Sequence, residues 1–579
     1  MNGGKEPLLP VDVEADSSAD PALLPDSAGF PAEGRGALKV RTGLLQGAAL
    51  LGIAAVVSKL IGTLQKIPLQ NLAGDAVFGI YNAVYPLYTL ILFLATAGFP
   101  LVVSKFVSEH AALRQEEEAL RVLRVAACVL TGTGVLCFAL LYGGAETIGG
   151  WMGLGKTAPA IRSVSFALLI VPVLSVLRGY FQGYGDMAPT ALSQVGEQLI
   201  RVMTMFGLLL MFLSMDSLPE TIAAGATFGS VAGAAAGLVL MLFYWRSRRP
   251  GRKVARTGTI RPGGWKADLA LARRIAGYAI PLCLGAVALP VLTLVDSFTV
   301  PRLLREAGYD ETGALYQFGL YNHGQPLVQL VAMIASSMSA ALVPAIAAAK
   351  RDGDSLLLRQ RAGTALRLAW MIGLPAAAGL ALLAGPMNLM FYKSTEGTPA
   401  MAILSLTALL SVLNIAGSSV LQGLGAVRAP AIYLLLAAGV KAAANALLVP
   451  RLGIDGAAWA AVAAHALAGG LALAHALRAA GVPAAGGRGA MKAVLATAFM
   501  ASGLLAVTHG SAPLLAQPAV AAAPRVAATA VALGGVALGA IAYALAVLRL
   551  GAVTAAELEA APSLVQRPLR LLRRLRLLR

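Results

Sequence analysis

A chain of 579 residues with 58% hydrophobic residues, 13% charged residues and a mean hydropathy of +0.74 carries more apolar sequence than one water-soluble core can bury. This composition excludes a soluble globular or disordered protein and predicts an all-α polytopic membrane protein. The net charge of +18 lies largely in short basic segments beside apolar runs, a pattern typical of membrane topology, so we expect no nucleic-acid partner.

Residues 1–37 are predicted to form a disordered cytoplasmic tail. The segment contains seven acidic residues, several Pro and Gly, and no apolar core of the kind that a signal peptide has. Further along, Cys128, Cys137 and Cys283 lie in apolar runs without metal-ligand spacing. The sequence therefore indicates neither a disulfide framework nor a metal site.

Fourteen apolar stretches follow, and each has the roughly 20 residues that a helix needs to cross a bilayer. Six fall in a first lobe and six in a second lobe, with a basic cytoplasmic loop between the lobes and a final pair before a basic amphipathic cytoplasmic tail. The predicted boundaries are 38–245 for the first lobe, 246–274 for the basic loop, 275–480 for the second lobe, 488–550 for the final pair and 551–579 for the tail.

The distribution of basic residues predicts the orientation. Of 46 Lys and Arg, 35 fall on one set of connections between spans and 8 on the opposite set. Because basic residues favour the cytoplasmic side, the chain is predicted to lie in the cytoplasmic membrane with both termini in the cytoplasm. The basic loop and tail are expected to contact anionic membrane lipids, and cell-wall synthesis proteins are further candidate partners.

The sequence contains an internal repeat. Shifting the chain by 240 positions, which we call the repeat offset, aligns a G-x-Y-N-x-x-x-P-L motif at Gly79 with the same motif at Gly319, and Gln182 and Gly183 with Gln422 and Gly423. Agreement of two separate segments on one shift indicates a duplicated six-helix unit. Duplicated lobes with a site at their interface are a transporter architecture.

The repeated motif is predicted to interrupt a helix in each copy, because proline and a buried amide disturb the backbone hydrogen bonding of a span. Support of the backbone is favoured over substrate contact for these side chains. The residues concerned are Tyr81, Asn82 and Pro86 in the first copy and Tyr321, Asn322 and Pro326 in the second.

Charged residues inside spans are costly in hydrocarbon and usually face a cavity or a partner. In the first span, Lys59 and Lys66 lie on one helix face with Thr63 between them, which favours a water-filled cavity over exposure to lipid. In the fifth span, Glu197 and Arg201 are four residues apart. They either form a local ion pair or take part in gating and coupling.

In the second lobe, Lys441 has no acidic residue close to it in sequence. It either pairs with Glu197 or Asp296 or offers a positive charge to a ligand. Asp296 and His323 are further candidates for coupling, because a carboxylate or an imidazole in a cavity can carry a proton or an ion. The predicted cationic substrate site consists of Lys59, Lys66, Arg201 and Lys441.

Equipment for covalent chemistry is missing from the sequence. Gly155, Lys156 and Thr157 complete a G-x-x-x-x-G-K-T pattern that begins at Gly150, but that motif requires a buried strand in a soluble domain, and this stretch joins two spans. No paired-carboxylate, Ser-His-Asp, Cys-His or H-E-x-x-H arrangement is present either. We therefore expect no enzyme and no cofactor, and a coupling ion (Na+ or H+) or the membrane potential would drive transport.

Three motifs resemble those of a known family. They are Ser58-Lys59-Leu60-Ile61-Gly62, Gly79-Ile80-Tyr81-Asn82, and Arg178-Gly179-Tyr180-Phe181-Gln182-Gly183 followed by Met187-Ala188-Pro189. Over roughly residues 40 to 550, the chain resembles the stage V sporulation protein B and lipid II flippase branch of the multidrug, oligosaccharidyl-lipid and polysaccharide exporter superfamily.

The resemblance implies two six-helix lobes in a V, a central cationic cavity for a pyrophosphate headgroup, and two C-terminal helices that can form a groove for a lipid tail. It also implies a substrate-binding role for Lys59 and the nearby Lys66, where better-studied flippases have arginine. Those relatives have arginines in the second span as well. This chain has none between Tyr81 and Ser104, which suits the sporulation branch better.

The sequence thus predicts a flippase that moves a lipid-linked anionic glycan precursor, for peptidoglycan or spore cortex, across the membrane by alternating access. The alternatives are a multidrug or metabolite cation antiporter of the same superfamily, a membrane enzyme that polymerises glycan strands, and a non-transporting scaffold for cell-wall assembly. Three bases against two acids within the spans favour an anionic cargo, and short outer loops disfavour the polymerase.

Overall fold

The structure is a computed structural model that describes residues 34–96, 98–248, 264–483, 488–515 and 523–551. All regular elements within these ranges are helical, as the composition predicts. The chain divides into two compact units, Met1–Gln46 and Gly47–Arg579, and all the predicted site residues belong to the second. Most of the predicted N-terminal tail, the centre of the basic loop and nearly all of the C-terminal tail fall outside the described residues.

The described helices of the first lobe run from Gly34 to Arg248, so they overlap both the predicted tail and the start of the predicted basic loop. The first begins at Gly34, inside the segment that we predicted to be disordered. Two short helices interrupt the long spans in the middle of the lobe, where Gly144 and Gly153 break the apolar run. The helices are α1 (Gly34–Leu64), α2 (Lys66–Thr96), α3 (Phe99–Ala112), α4 (Glu116–Gly143), α5 (Ala145–Met152), α6 (Ala158–Ser165), α7 (Ala167–Gly183), α8 (Ala188–Ser214) and α9 (Pro219–Arg248).

The second lobe and the final pair complete the described helices. They are α10 (Trp265–Glu306), α11 (Glu311–Tyr321), α12 (Gln325–Arg351), α13 (Ser355–Leu382), α14 (Ala384–Tyr392), α15 (Thr398–Ser405), α16 (Thr407–Gly423), α17 (Arg428–Ala479), α18 (Arg488–Leu515) and α19 (Pro524–Arg549). The 52 residues of α17 form two helices joined at Gly453, whose φ of 57° and ψ of −135° are open to glycine and strained for other residues.

The bounds of the helices confirm the internal repeat. The repeat offset carries both ends of α6 and α7 onto both ends of α15 and α16, and it carries the start of α8 onto the start of α17. The turns that precede α8 and α17 each contain a glycine in the left-handed region, Gly185 with φ 77° and Gly425 with φ 85°, and these glycines are related by the same offset. The two lobes are therefore copies of one unit down to the turn between equivalent helices.

Eleven helices within the described ranges are long and apolar enough to cross a membrane. Three of these stretches, of 64, 41 and 52 residues, far exceed the roughly 20 residues of one crossing. The protein is therefore a polytopic helical membrane protein. The number of fourteen spans stays a prediction.

The lobes meet through α2 and α10. α2 packs against α10, α11 and α14 of the second lobe. At its crossing with α11, an added Cβ at Gly79 would collide with the Leu315 carbonyl oxygen, and one at Gly319 would collide with the Asp75 carbonyl oxygen. These two glycines are repeat partners, so the same feature of each copy lets the two helices approach each other closely.

α10 contributes to both lobes. Its first half packs Ile275, Ala279 and Cys283 into an apolar core built from α3, α4 and α7, and Asp268 near its start pairs with Arg121 of α4 at 2.6 Å. Further along, the same helix packs against α17 of the second lobe. A relative movement of the lobes would therefore have to bend or tilt α10.

Candidate functional site

The local ion pair, one of the two alternatives for Glu197 and Arg201, is present and has an additional partner. Arg201 Nη2 lies 3.2 Å from Glu197 Oε1 along α8, and Arg178 Nη2 of α7 lies 2.9 Å from Glu197 Oε2. Arg178 Nε also donates to Ser193 Oγ at 2.9 Å. Behind this cluster, α9 approaches at Gly233, where a Cβ would lie 2.6 Å from the Glu197 carbonyl oxygen.

The first-lobe cluster, defined as Arg178, Glu197 and Arg201, has one positive charge in excess. Its side chains are only 16%, 16% and 11% exposed, respectively. Arg201 Nη1 donates to Tyr85 Oη at 3.2 Å, while Arg201 Nε and Gln198 Nε2 are buried without an acceptor among the described residues. Two guanidinium groups with spare donors around one carboxylate form a local environment that favours an anion.

Arg178 was missed as a site residue. In the sequence it stands out only as part of the Arg178 to Gly183 motif, near the end of the fourth apolar stretch. Its partner Glu197 is 19 residues away, on the next helix. The sequence shows a basic residue within a span, which could have marked Arg178 as a candidate. Its acidic partner could not be identified, because the pairing depends on how α7 packs against α8.

The predicted polar face of the first span is divided between two helices, with Lys59 and Thr63 on α1 and Lys66 at the start of α2. Lys59 is exposed and has no ion-pair partner among the described residues. One turn later, Thr63 Oγ1 lies 3.4 Å from Gln329 Oε1 of α12, so this face is directed at the second lobe. Lys66 Nζ donates to Asn82 Oδ1 at 3.2 Å. Lys66 is therefore half-buried beside an amide, and Thr63 is the residue between the two lysines that reaches the second lobe.

In the second lobe, Lys441 pairs with Asp296 and not with Glu197. Lys441 Nζ lies 2.6 Å from Asp296 Oδ2 and also donates to the Leu292 carbonyl oxygen at 3.0 Å. Tyr321 Oη donates to the same carboxylate oxygen at 2.8 Å, and Asn445 Nδ2 donates to the other at 3.2 Å. This answers the open question about the partner of Lys441.

The second-lobe pair, Lys441 and Asp296, is sealed from solvent. The two side chains are 1% and 4% exposed, respectively. One base faces one acid, and α10 and α17 hold both charges in a shell of further hydrogen bonds, as a buried ion pair requires. In this conformation the ammonium group does not reach open space. A direct contact of Lys441 with substrate stays a prediction.

His323 lies at the contact between the lobes. Its Nε2 is 2.6 Å from Asp75 Oδ1 of α2, and its Nδ1 is 2.8 Å from Asn388 Oδ1 of α14. Both members of the pair are buried, at 0% and 8% exposure. Asp75 was absent from the predicted site. The sequence feature that could have indicated it is an acidic residue directly after Gly74, between the first two predicted spans.

The predicted helix interruption occurs in the second copy of the repeat only. There a 3₁₀ turn, Asn322–Gly324, separates α11 from α12, and Pro326 lies in the first turn of α12. In the first copy α2 remains helical through Pro86, and the break is at Gly74, with φ 79° and ψ 174°. A proline removes one backbone hydrogen bond without ending a helix when packing holds both sides. The prediction for the first copy therefore placed the helix break at the wrong residue.

The other side chains of the motif support the backbone in both copies. Asn82 Nδ2 donates to the Phe78 carbonyl oxygen at 2.8 Å, and Asn322 Nδ2 donates to the Phe318 carbonyl oxygen at 2.7 Å. Tyr81 Oη accepts from the side-chain amide of Gln65 at 3.4 Å. The same one-turn amide bond thus recurs at the repeat offset.

The G-K-T sequence takes part in the contact between the lobes. Gly155–Thr157 is a 3₁₀ turn in which the Lys156 backbone N–H donates to Glu311 Oε1 at 2.6 Å. Lys156 Nζ donates to Thr312 Oγ1 at 2.8 Å, and Arg305 Nη1 donates to the Gly153 carbonyl oxygen at 3.1 Å. We call this end of the bundle, with the Asp75–His323 pair beneath it, the contact end.

A separate cavity of about 490 Å³ lies within the second lobe, between α12, α13 and α16. Its walls are mostly aliphatic, and Gln360 and Arg361 are among its few polar side chains. None of the predicted site residues lines it. Its chemistry suits hydrocarbon, so it does not compete with the first-lobe cluster as a site for a charged group.

The chain is similar in sequence to membrane proteins of one bacterium. It is 33% identical over 430 residues to an uncharacterised membrane protein, YabM, of Bacillus subtilis (strain 168), covering 74% of this chain and 78% of the relative. It is 30% identical to the lipid II flippase MurJ of the same organism, covering 72% and 79%, and 27% identical to its stage V sporulation protein B, covering 72% and 80%.

Solved structures share the fold. An inward-facing multidrug transporter of the MATE family and MOP superfamily matches with a TM-score of 0.62 at 16% identity, over 74% of this chain and 96% of that chain. The lipid II flippase MurJ in an inward closed conformation matches with a TM-score of 0.59 at 13% identity, over 86% and 98%. A family model described as polysaccharide biosynthesis protein matches residues 44–350. The chain therefore belongs to the polysaccharide biosynthesis protein family.

Proposed function

We propose that this membrane protein is a flippase for a lipid-linked anionic glycan precursor of the lipid II type, used for peptidoglycan or spore cortex, and that it works by alternating access. The observation that carries the proposal is the excess positive charge of the first-lobe cluster, where Arg178 and Arg201 share Glu197. The lipid II flippase among the relatives supports the substrate class.

The electrostatics fit a diphosphate better than an organic cation. A diphosphate that leaves water loses strong hydration, and guanidinium groups replace it with charge-assisted, bidentate hydrogen bonds. Lys59 on α1 and Lys66 at the start of α2 would add two ammonium groups on either side of Thr63, which contacts the second lobe. The lipid tail would stay in hydrocarbon during the passage, so only the headgroup would have to cross through the protein.

In the transport cycle, the lobes would separate at the contact end and form contacts at the opposite end of the bundle. With the orientation that the basic residues predict, the contact end faces outward and is closed in this conformation. A coupling ion, Na+ or H+, or the membrane potential would reset the cycle. Glu197 is one candidate for coupling, because a change in its charge would alter the field at the cluster, and Asp296 is another.

The test is flipping of a fluorescent lipid-linked disaccharide-pentapeptide in proteoliposomes. The wild-type chain is compared with Lys59→Ala, which removes an exposed cation from the α1 face. The matched control is Lys105→Ala on α3, an exposed lysine outside the α1 face, whose ammonium group lies 3.9 Å from Glu109 and 4.1 Å from the centre of the Tyr278 ring. We expect Lys59→Ala to lower the initial flipping rate at least about tenfold, the equivalent of about 1.4 kcal/mol, and Lys105→Ala to leave it unchanged.

Failure of the wild-type chain to flip this lipid in folded, correctly inserted form would overturn the proposal. Uptake of an organic cation by the same vesicles would then indicate the antiporter. Absence of both activities, with retention of a cell-wall synthesis protein by the purified chain, would indicate the scaffold.

A further inference from the structure

The Asp75–His323 pair bridges the two lobes at a place where proton occupancy can be deduced from hydrogen bonding. Asp75 belongs to α2 of the first lobe and His323 to the turn before α12 of the second. The pair is 248 positions apart in sequence and is buried. Any movement that opens the contact end has to separate these two side chains.

The orientation of Asn388 fixes one proton. Asn388 Nδ2 donates to the Glu396 carbonyl oxygen at 2.8 Å and to Thr398 Oγ1 at 3.0 Å. Thr398 uses its own hydroxyl proton toward the Thr395 carbonyl oxygen at 2.6 Å, so it can only accept from Asn388. The amide oxygen of Asn388 therefore faces His323, and His323 Nδ1 has to carry a hydrogen.

The second proton lies between His323 Nε2 and Asp75. A carboxylate oxygen accepts, so at 2.6 Å either Nε2 carries the hydrogen and donates to the carboxylate, or a carboxylic acid donates to Nε2. Gln70 Nε2 donates to both oxygens of the same carboxyl group, at 3.1 and 3.2 Å. In either form the joined pair holds two protons and no net charge.

The joined pair is kept dry. The imidazole ring stacks on Tyr392 with ring centres 4.0 Å apart, and Phe78 lies 6.1 Å away on the α2 side. Beyond Asp75, the titratable groups around the pair are the Tyr392 phenol and, at the exposed rim, Glu396, whose carboxylate accepts from Tyr316 Oη at 3.0 Å. No lysine or arginine forms an ion pair with Asp75 among the described residues.

We propose that the Asp75–His323 pair is a proton-binding site that couples the lobe contact to the proton concentration at the contact end. Separated and hydrated, an aspartate binds no proton near neutral pH, and an imidazole is largely neutral with one ring proton above about pH 6.5. Opening the contact thus releases one proton from the pair to water, and closing it takes one proton up. This inference rests on the alternating access of the proposed function and names an ion for it.

The backbone supports this role for Asp75. Gly74 immediately before it has φ 79° and ψ 174°, a conformation that is essentially restricted to glycine. The break turns α2 so that Asp75 enters the lobe contact, beside the crossing of Gly79 and Gly319. A helix that ran straight through position 74 would not direct the carboxylate in this way.

The experiment measures opening of the contact end without any lipid substrate. Spin labels are placed at Trp151→Cys and Thr395→Cys, two exposed positions on the first and second lobes, after replacement of Cys128, Cys137 and Cys283. Distance distributions are recorded in lipid nanodiscs from about pH 5.5 to about pH 8.5, a range that covers imidazole titration. Because the closed state holds one more proton, the ratio of closed to open molecules should fall by up to about tenfold for each unit that the pH rises.

Two variants and one control identify the group responsible. Asp75→Asn can still hydrogen-bond His323 but exchanges no proton on separation, and His323→Gln removes the imidazole, so both should flatten the pH dependence. His475→Gln makes the same change at a histidine of α17 that bonds Tyr433 Oη at 2.8 Å, and it should keep the wild-type slope.

A closed fraction that is independent of pH in the wild-type chain would overturn the proton site, as would an unchanged slope in folded Asp75→Asn. Because no substrate is present, this outcome leaves the flippase proposal intact. Loss of flipping with a retained slope would reject the flippase and keep the proton site.

Discussion

The two lobes place a basic residue at the same position of the repeat, Arg201 in the first and Lys441 in the second, and surround it differently. Arg201 shares Glu197 with Arg178, and the three side chains remain 11% to 16% exposed. Lys441 has Asp296 to itself, and the two are 1% and 4% exposed. The first lobe therefore retains a charge, and the second lobe cancels it.

A duplicated fold can in this way divide its tasks between its two copies. A charge that is balanced one to one and sealed contributes to the position of helices, whereas an unbalanced charge at a partly open place remains available to a ligand. We infer that the second-lobe pair holds α10 against α17, and that the first-lobe cluster receives the anionic headgroup.

We expect the stability of the second lobe to change most. Asp296→Asn leaves the Lys441 ammonium group buried without a counter-charge, and we expect the free energy of unfolding to fall by about 3–5 kcal/mol. Adding Lys441→Met removes that charge and should restore more than half of the loss. Chemical denaturation in a mild detergent measures both. Equal damage in the single and the double variant would mean that the pair is not what holds these helices.

An intermediate effect is expected in the first lobe. Glu197→Gln removes the shared acid, but the guanidinium groups retain some access to water, so the free energy of unfolding should fall by only about 1–3 kcal/mol. The same change raises the positive charge of the cluster and should tighten binding of a lipid diphosphate. Titration of the detergent-solubilised chain measures the affinity, and weaker binding would contradict an anion site at the first-lobe cluster.

We expect a small effect from the amide bond that occurs once in each lobe, at Asn82 and at Asn322. Asn82→Ala and Asn322→Ala each remove a one-turn amide bond, at an expected cost of about 0.5–1.5 kcal/mol. Asn82 also accepts from Lys66, so the comparison is made in a Lys66→Met background, where the two costs should agree within about 0.5 kcal/mol. A much larger difference would show that the copies differ even where their local sequences match.

Much of this architecture could be predicted from the sequence because it depends on local patterns. Apolar run length defined a helical membrane protein, one shift shared by two motifs defined two copies, and the spacing of Glu197 and Arg201 offered a local ion pair as one of two alternatives. Each of these features depends on residues that are close together in sequence or that recur at a fixed interval.

The partners of the other charged residues could not be predicted, because they depend on how separate helices pack. Lys441 had two candidate acids, and only the approach of α10 to α17 selects Asp296. Arg178 and Asp75 were overlooked for the same reason. The helix break at Gly74 was also misplaced, since proline at position 86 is the stronger local signal for a break.

The most direct test compares the two lobes in one binding measurement. The affinity of the full-length, detergent-solubilised chain for lipid-linked disaccharide-pentapeptide is measured for Arg178→Gln and for the doubly neutralised Asp296→Asn/Lys441→Met variant. We predict about tenfold weaker binding for Arg178→Gln, equivalent to about 1.4 kcal/mol, and a change of less than about twofold for the double variant. Unchanged binding by Arg178→Gln, or a large loss in the double variant, would contradict the division of tasks between the lobes.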